Sequence, residues 1–524
     1  MPSDSPTVGD IVRRQARSRG EHPLLVCDAE RIGYAEAERR SARMARGLVT
    51  LGAGKGSHVG LLYPNGVAFV VGMLAAARIG AVVIPFSTFA TAREVREQLV
   101  DSDAEILLAA PSYRSHDYVQ RLADALPGAN LDTADRLFDS TAPQLRHVIF
   151  DVVRVDRLAD TVDAQLLTAL EDDVYGSDPL AIVYTSGTTS TPKGVLHTHA
   201  ALLNHQKNLN AIRGLTAADK LFCNSPFFWI GGFGFALLAT LVAGCTLVCS
   251  NADDAGQTLD LLENERPTVT NGFAAGIAYL ARHPSFDGRD LSSMRRGNLY
   301  PIMAPEVRPA DPALRHNMLG LTEAGSVVLI SGDDSDQPER RRGSFGKPAP
   351  GLETEVVDPE TGSRVEDGAL GELCIRGPCL MQRYYKRSRE DCFDAEGWFH
   401  TGDLVATDRD GFFYFIRRQG AMIKTAGANV SPAEVEEAIA MVTGGAVAHV
   451  FGIPDPERGQ VVAAVIALEN ARQFDETLLR RALAAELSVY KIPKRFAAIP
   501  TAEVPMLASG KVDMQQLKRL FDAG

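Results

Sequence analysis

The chain has 524 residues, 45% hydrophobic and 23% charged, an ordinary balance for a folded globular protein but too long for one compact core, so two or three packed units are expected. With 66 acidic against 54 basic residues the net charge is −12, which argues against nucleic acid as the main partner because no basic excess exists to neutralise phosphates. The seven cysteines form no CxxC pair, and the closest spacings (Cys245 with Cys249, Cys374 with Cys379) have no histidine nearby, so buried reduced thiols are expected rather than a disulfide framework or a zinc site.

The N-terminal MPSDSPTVGD carries no basic segment followed by an apolar one, so no signal peptide is read and a cytoplasmic location is expected. Val59–Tyr63 reads as a strand, Pro64-Asn65-Gly66 as a turn, Val67–Ile79 as a helix stopped by Gly80, and Ala81–Pro85 as a second strand. This β-α-β unit has near-continuous apolar strands, the mark of a parallel sheet covered on both faces. The pattern recurs at Ala181–Tyr184, Thr246–Cys249 and Thr268–Asn271.

Tyr184-Thr185-Ser186-Gly187-Thr188-Thr189-Ser190-Thr191-Pro192-Lys193-Gly194 follows one of these strands. Backbone N–H groups of such a loop converge on phosphate oxygens, hydroxyls add donors and the lysine adds a point charge. It is not a Walker loop, which ends in Gly-Lys-Ser/Thr. Leu221–Ala252 has no charge before Asp253, but Pro226, Gly231, Gly232, Gly234 and Gly244 interrupt it, so a buried helix, a turn at Gly244 and the strand Cys245–Cys249 fit better than a membrane span. Further on, Gly320-Leu321-Thr322-Glu323 offers a hard carboxylate oxygen suited to Mg²⁺.

After about Gly346 the texture becomes β-rich, with strands at Glu353–Val357, Gly371–Arg376 and Phe412–Ile416. Beyond Arg417-Arg418-Gln419-Gly420, a helix at Pro432–Met441, strands at Ala446–Ile453 and Val461–Leu468 and a helix at Asp475–Leu487 make a small α+β module.

YTSGTTSTPKGV resembles the signature loop of the adenylate-forming superfamily of acyl-CoA synthetases, peptide-synthetase adenylation domains and luciferases, with Ser190 where the family has glycine. Gly320–Glu323, Gly397-Trp398-Phe399-His400-Thr401-Gly402-Asp403, Lys424–Glu436 and Pro505–Lys511 resemble its later motifs in the same order. The resemblance implies a large N-terminal α/β domain of parallel sheets over residues 1–417, with a β-rich subdomain at about 346–417, a hinge at 418–420 centred on Gly420, and a small mobile α+β domain at 421–524. It implies that Thr185, Ser186, Gly187, Thr188, Thr189 and Lys193 hold ATP phosphates, with Mg²⁺ on Glu323 and Thr185. Asn317, Gly320 and Thr322 would bind the nucleotide, Asp403 the ribose hydroxyls, and Arg418 the ribose or phosphate. Lys511 would be the transition-state cation of adenylation, and Lys424 and Gly427 would face coenzyme A in thioester formation. Trp229, Phe233, Gly297 and Leu319 would line the acyl and adenine pockets, Leu319 and Gly297 at positions where the family differs.

The activity implied is ATP-dependent ligation of an apolar fatty, aromatic or alicyclic acid to coenzyme A through an acyl-adenylate, with no transmembrane segment and a homodimer allowed. The alternatives are transfer to a carrier-protein phosphopantetheine, release of the adenylate, and a non-catalytic nucleotide-binding protein. The last is disfavoured by the presence of Glu323, Asp403 and Lys511.

Overall fold

Near-continuous apolar strands alternating with helices can bury both faces only inside a layered α/β core, and the computed structural model has that architecture. It describes residues 5–131, 135–185, 192–274, 277–418, 422–469, 474–506 and 512–522. The chain divides into two compact units, one of residues 1–88, 98–184 and 194–417, the other of 89–97, 185–193 and 418–524.

In the first unit the expected β-α-β element is present as His58–Leu62, Val67–Arg78 and Val82–Pro85, with the strands parallel and Gly60 opposite Ile84. All of the helix except Ala68 is buried, as an all-round apolar sequence requires. Its one charge, Arg78, is tied to Glu38, Glu171 and Ser41. These strands belong to a seven-stranded sheet in the order Arg383–Tyr384, Lys193–Thr198, Pro179–Thr185, Val82–Pro85, His58–Leu62, Ile106–Ala109, His147–Ile149.

A second sheet of six strands runs Arg296–Gly297, Val269–Asn271, Lys220–Cys223, Thr246–Cys249, Pro23–Cys27, Glu30–Gly33, parallel except at the last pair. The uncharged stretch that imitates a membrane span supplies two of these strands and, between them, a π-helical turn at Phe233–Leu238 continued by Ala239–Ala243. Gly244 ends that helix at φ 74°, a left-handed conformation that glycine adopts without a Cβ clash. Among the described residues no helix is long and apolar enough to cross a membrane.

The β-rich part is a four-stranded sheet, Glu353–Val357, Gly371–Arg376, Phe399–Thr407, Phe413–Arg418. Phe399–Thr407 is a strand the sequence does not announce, because His400, Thr401, Gly402 and Asp403 break its alternation. All seven cysteines are unpaired and six are buried.

The second unit carries a sheet of Ala428–Val430, Ile423–Thr425, Gly459–Leu468 and Val447–Asp455, with Arg495–Pro500 parallel to Gly459–Leu468. The helices Pro432–Thr443 and Glu476–Glu486 cover it. One apolar cluster is built on Val435, Ile439, Val462, Ile466 and Leu483, and another on Phe451, Val465, Leu517 and Phe521. Lys491 is 5% exposed, and its Nζ donates to Glu94 (2.5 Å) and Glu434 (2.6 Å). Burial opposes the ammonium, but these carboxylates hold it well above the ordinary lysine range.

Candidate active site

In a parallel α/β sheet ligands bind in the crevice beyond the carboxyl ends of the strands. At that edge of the six-stranded sheet, Lys220–Cys223 and Val269–Asn271 run side by side with Cys223 opposite Asn271, and each leads directly into a loop. Three asparagines lace these loops together. Asn224 Oδ1 accepts the Phe273 N–H (3.2 Å), Asn298 exchanges two hydrogen bonds with the Gly272 backbone (3.2 and 2.7 Å), and Asn65 accepts the Phe227 N–H (2.7 Å) while donating to the Ser225 carbonyl (3.0 Å).

On this frame Trp229 stands edge-on to Phe228 (5.3 Å) and to Phe273 (6.4 Å), the latter 38% exposed. Phe233 is fully buried against Phe69 (6.4 Å) in the main core. Gly297 has φ 108°, and a Cβ there would lie 1.9 Å from the Thr270 carbonyl oxygen, so only glycine permits this approach to the neighbouring strand.

Glu323 sits in a 3₁₀ turn, Thr322–Ala324, between the strands Leu319–Leu321 and Ser326–Ile330. Thr322 opens the turn rather than capping it, since the preceding residue is Leu321 and no side-chain cap forms. The strand alternates so that Leu319 and Leu321 are buried in the apolar cluster of the β-rich part while Gly320 is exposed; Asn317 is exposed and its N–H donates to the Ser344 carbonyl (2.8 Å).

Three carbonyls around the turn have side-chain donors that the sequence motifs do not include. His197 Nε2 bonds Thr322 O (2.7 Å), Gln206 Nε2 bonds Gly325 O (3.1 Å), and His205 Nε2 bonds Val327 O (2.8 Å). The signal was available, because His197 and His205 are polar residues at buried positions of an apolar strand and helix. Since the acceptors are carbonyls, Nε2 carries the proton, and burial pushes both imidazoles down to about 4. A Cβ on Gly234 would lie 2.8 Å from Gly325 O, so the π-helical segment abuts this turn through bare backbone. The segment expected to line the acyl pocket and the Gly-x-Thr-Glu segment thereby touch, at the kind of π turn often found at functional sites.

The Glu323 carboxylate is 6% exposed, and its Oε1 accepts a hydrogen bond from the Tyr384 hydroxyl (2.7 Å). A buried carboxylate oriented by a phenol hydroxyl presents hard oxygen atoms, which fit a small divalent cation such as Mg²⁺.

Asp403 lies on a β-bulge. In the pair Gly371–Arg376 with Phe399–Thr407, Cys374 is opposite His400 and Glu372 is opposite Leu404, so Thr401, Gly402 and Asp403 together face Leu373. Gly402 has φ 71°, Thr401 Oγ1 donates to Leu373 O (2.7 Å) and accepts the Asp403 N–H (3.0 Å), and Glu372 Oε1 accepts the Gly402 N–H (2.8 Å). Asp403 itself is 2% exposed.

In the second unit, Arg418 ends the strand Phe413–Arg418, and Lys424 is exposed with its N–H donated to Gln460 Oε1 (3.1 Å). Ala426 and Gly427, at φ 48° and 88°, make the two-residue hairpin turn between Ile423–Thr425 and Ala428–Val430, which alone explains a glycine there. Thr185 ends one strand and Lys193 begins the next, both partly buried. Ser186, Gly187, Thr188, Thr189, Gly420 and Lys511 lie outside the described residues.

Residues 12–385 match the family model described as AMP-binding enzyme, and residues 434–511 match that of the AMP-binding enzyme C-terminal domain. The chain is 31% identical to the feruloyl-CoA synthase of an Amycolatopsis species, over 94% of both chains. It is 30% identical to 4-coumarate–CoA ligase 3 of Oryza sativa subsp. japonica, over 96% of this chain and 90% of that one. Among solved structures, the amide bond synthetase McbA of Marinactinospora thermotolerans superposes with a TM-score of 0.79 at 24% identity, covering 98% of this chain and 99% of that one, a likeness of fold. With both family models matched in order, and the buried carboxylates Glu323 and Asp403 standing in two of the recognised motifs, this chain belongs to the AMP-binding family of adenylate-forming enzymes.

Proposed function

We propose that the protein is an ATP-dependent, AMP-forming acid–CoA ligase acting on an apolar acid of the fatty, aromatic or alicyclic kind. The observation that carries this is near end-to-end similarity, at 30% and 31% identity, to enzymes named for making CoA thioesters. The aromatic edge formed by Phe228, Trp229 and Phe273 supports an acid with an apolar body.

In the first step a carboxylate oxygen of the acid attacks the α-phosphorus of ATP, the bond to the bridging oxygen breaks, and pyrophosphate leaves. In the second, the sulfur of CoA attacks the acyl carbonyl, the thiol proton passes to solvent, and AMP leaves with the electron pair of the acyl–oxygen bond. The protein's part is positioning and charge stabilisation. Glu323, with Thr185, would hold Mg²⁺, which when bound offsets the charge of the phosphates. Asp403 accepts hydrogen bonds from the ribose diol, its bulge fixing where the carboxylate points. Thr185, Ser186, Gly187, Thr188, Thr189 and Lys193 hold the phosphates, Arg418 adds a cation, and Lys511 stabilises charge developing between carboxylate and α-phosphate. Lys424 and Gly427 belong to the thioester half-reaction.

The test is a panel of fatty, aromatic and alicyclic acids, hydroxycinnamic acids included, incubated with ATP, Mg²⁺ and CoA. AMP and acyl-CoA are expected in equal amounts for some of them. Pyrophosphate release without CoA thioester for every accepted acid would overturn the assignment of the acceptor and favour a carrier-protein thiol.

A further inference from the structure

No histidine lies near Cys374 along the sequence, but the fold brings one to it. Cys374 and His400 are directly opposed on neighbouring antiparallel strands, which puts their side chains on one face. Glu372, two residues before Cys374, reaches the same place. Cys374 Sγ is 3.4 Å from His400 Nδ1, and Glu372 Oε2 is 3.1 Å from the same nitrogen. The three donor atoms all lie within 4.8 Å of one another. Tetrahedral zinc, with bonds of about 2.3 Å to sulfur and about 2.0 Å to nitrogen or oxygen, wants sulfur–nitrogen and nitrogen–oxygen separations of about 3.6 and 3.3 Å. The cluster is within a few tenths of an ångström of both.

The surroundings are those of a metal site as well. His400 Nε2 lies 3.4 Å from Asp394 Oδ2, and Asp394 is fixed by the N–H groups of Glu396 (3.0 Å) and Trp398 (2.8 Å). A carboxylate on the outer ring nitrogen sets the tautomer that leaves Nδ1 as donor, the usual support of a metal-bound histidine. Glu372 is likewise oriented through its other oxygen, Oε1, which accepts the Gly402 N–H. Glu355 stands opposite Cys374 on the strand beyond, so the local field is negative, while the nearby Arg376 is engaged with Glu353. Cys374 and Glu372 are buried and the His400 side chain is 44% exposed, so an ion can enter from one side and keep water as its fourth ligand.

We propose that Glu372, Cys374 and His400 form a binding site for a borderline divalent transition-metal ion, best fitted by Zn²⁺, on the strand pair that carries Asp403. Sulfur and imidazole exclude Mg²⁺ and Ca²⁺, which take oxygen ligands. Binding forms the metal–sulfur, metal–nitrogen and metal–oxygen bonds, and the Cys374 thiol proton passes to solvent.

The experiment uses the full chain, stripped with a chelator and titrated with Co²⁺ and then Zn²⁺. One equivalent of Co²⁺ should give a thiolate-to-cobalt charge-transfer band with the visible spectrum of a tetrahedral site, and Zn²⁺ should displace it while excess Mg²⁺ should not. Cys374→Ser should abolish the band, and Asp394→Asn should keep it with affinity lowered about 10–100-fold. Unchanged band and stoichiometry in Cys374→Ser would overturn the proposal. Should that variant fail to fold, X-ray absorption of the zinc-loaded unmodified protein decides: one sulfur and one imidazole in the first shell sustain the site, and a shell without sulfur overturns it.

Discussion

At the scale of single residues, Glu323 and the buried histidines carry the sharpest expectations. Glu323→Gln keeps the shape and can still accept the Tyr384 hydroxyl, but removes the charge proposed for the metal. ATP–pyrophosphate exchange should fall by about 10²–10³, the cost of one lost transition-state charge contact, with the thermal midpoint nearly unchanged. Tyr384→Phe, which removes one hydrogen bond to that carboxylate but leaves its charge, should cost about 1.5 kcal/mol, or about tenfold in the same assay. Equal losses in the two variants would remove Glu323 from its role. His197, His199 and His205 are held neutral by burial, at about 4 against 6.5 for the free side chain. The unfolded chain therefore binds more protons between those values, and stability is complete above pH 6.5 and lost as pH falls toward 4. At pH 5 each histidine should cost about 1–2 kcal/mol. His400 has the opposite sign, since Glu372 and Asp394 outweigh its burial and raise its value, but it is partly exposed and one against three. Chemical denaturation at pH 7.5, 6 and 5 checks this; a flat profile would show those histidines to be charged or mobile.

At the scale of elements, the informative pieces are the π-helical turn and the bulged strand. Trp229 precedes the turn and meets the partly exposed Phe273. Trp229→Ala should therefore change the ranking of accepted acids by tenfold or more while leaving the KM for ATP within about twofold; a lowered thermal midpoint with unchanged acid preference would reassign the side chain to packing. These elements also show what was legible in the sequence. The strands Glu353–Val357, Gly371–Arg376 and Thr246–Cys249 could be read to the residue, because apolar runs end at Gly, Pro, Asp or Ser. Phe399–Thr407 could not, because its bulge replaces the alternation with His-Thr-Gly-Asp. The approach of His400 to Cys374 was equally hidden, since 26 residues separate them and only strand pairing brings them together. The donors behind the Thr322–Ala324 turn come from a strand and helix more than a hundred residues earlier, a distance at which periodicity says nothing.

At the scale of the whole molecule, the catalytic proposal divides its work between two units with separate cores. Lys511 and Lys424 are both assigned to the C-terminal part, yet to different half-reactions. Lys511→Ala should lower adenylation by about 10²–10³ and leave thioester formation from supplied acyl-adenylate largely intact. Matching losses in both half-reactions, with the fold preserved, would overturn the separation of roles. The second unit also holds the buried triad of Lys491 with Glu94 and Glu434, and Lys491→Met should destabilise that unit by about 3–5 kcal/mol, because two buried carboxylates lose their cation. Differential scanning calorimetry should register the change.

The bulge at Asp403 obeys a parity rule. Three residues stand opposite one, so the strand carries two surplus residues, an even number, and Phe399 and Val405 fall on the same inward side. Side chains alternate with period two, so an odd change in length would turn every later residue inside out. Removing Gly402 alone should therefore unfold the β-rich sheet. Removing Gly402 and Asp403 together would set Thr401 against Leu373 and Leu404 against Glu372 in unbroken register, giving a folded protein without the carboxylate proposed to hold the ribose. Natural length variation at this turn should accordingly come in steps of two.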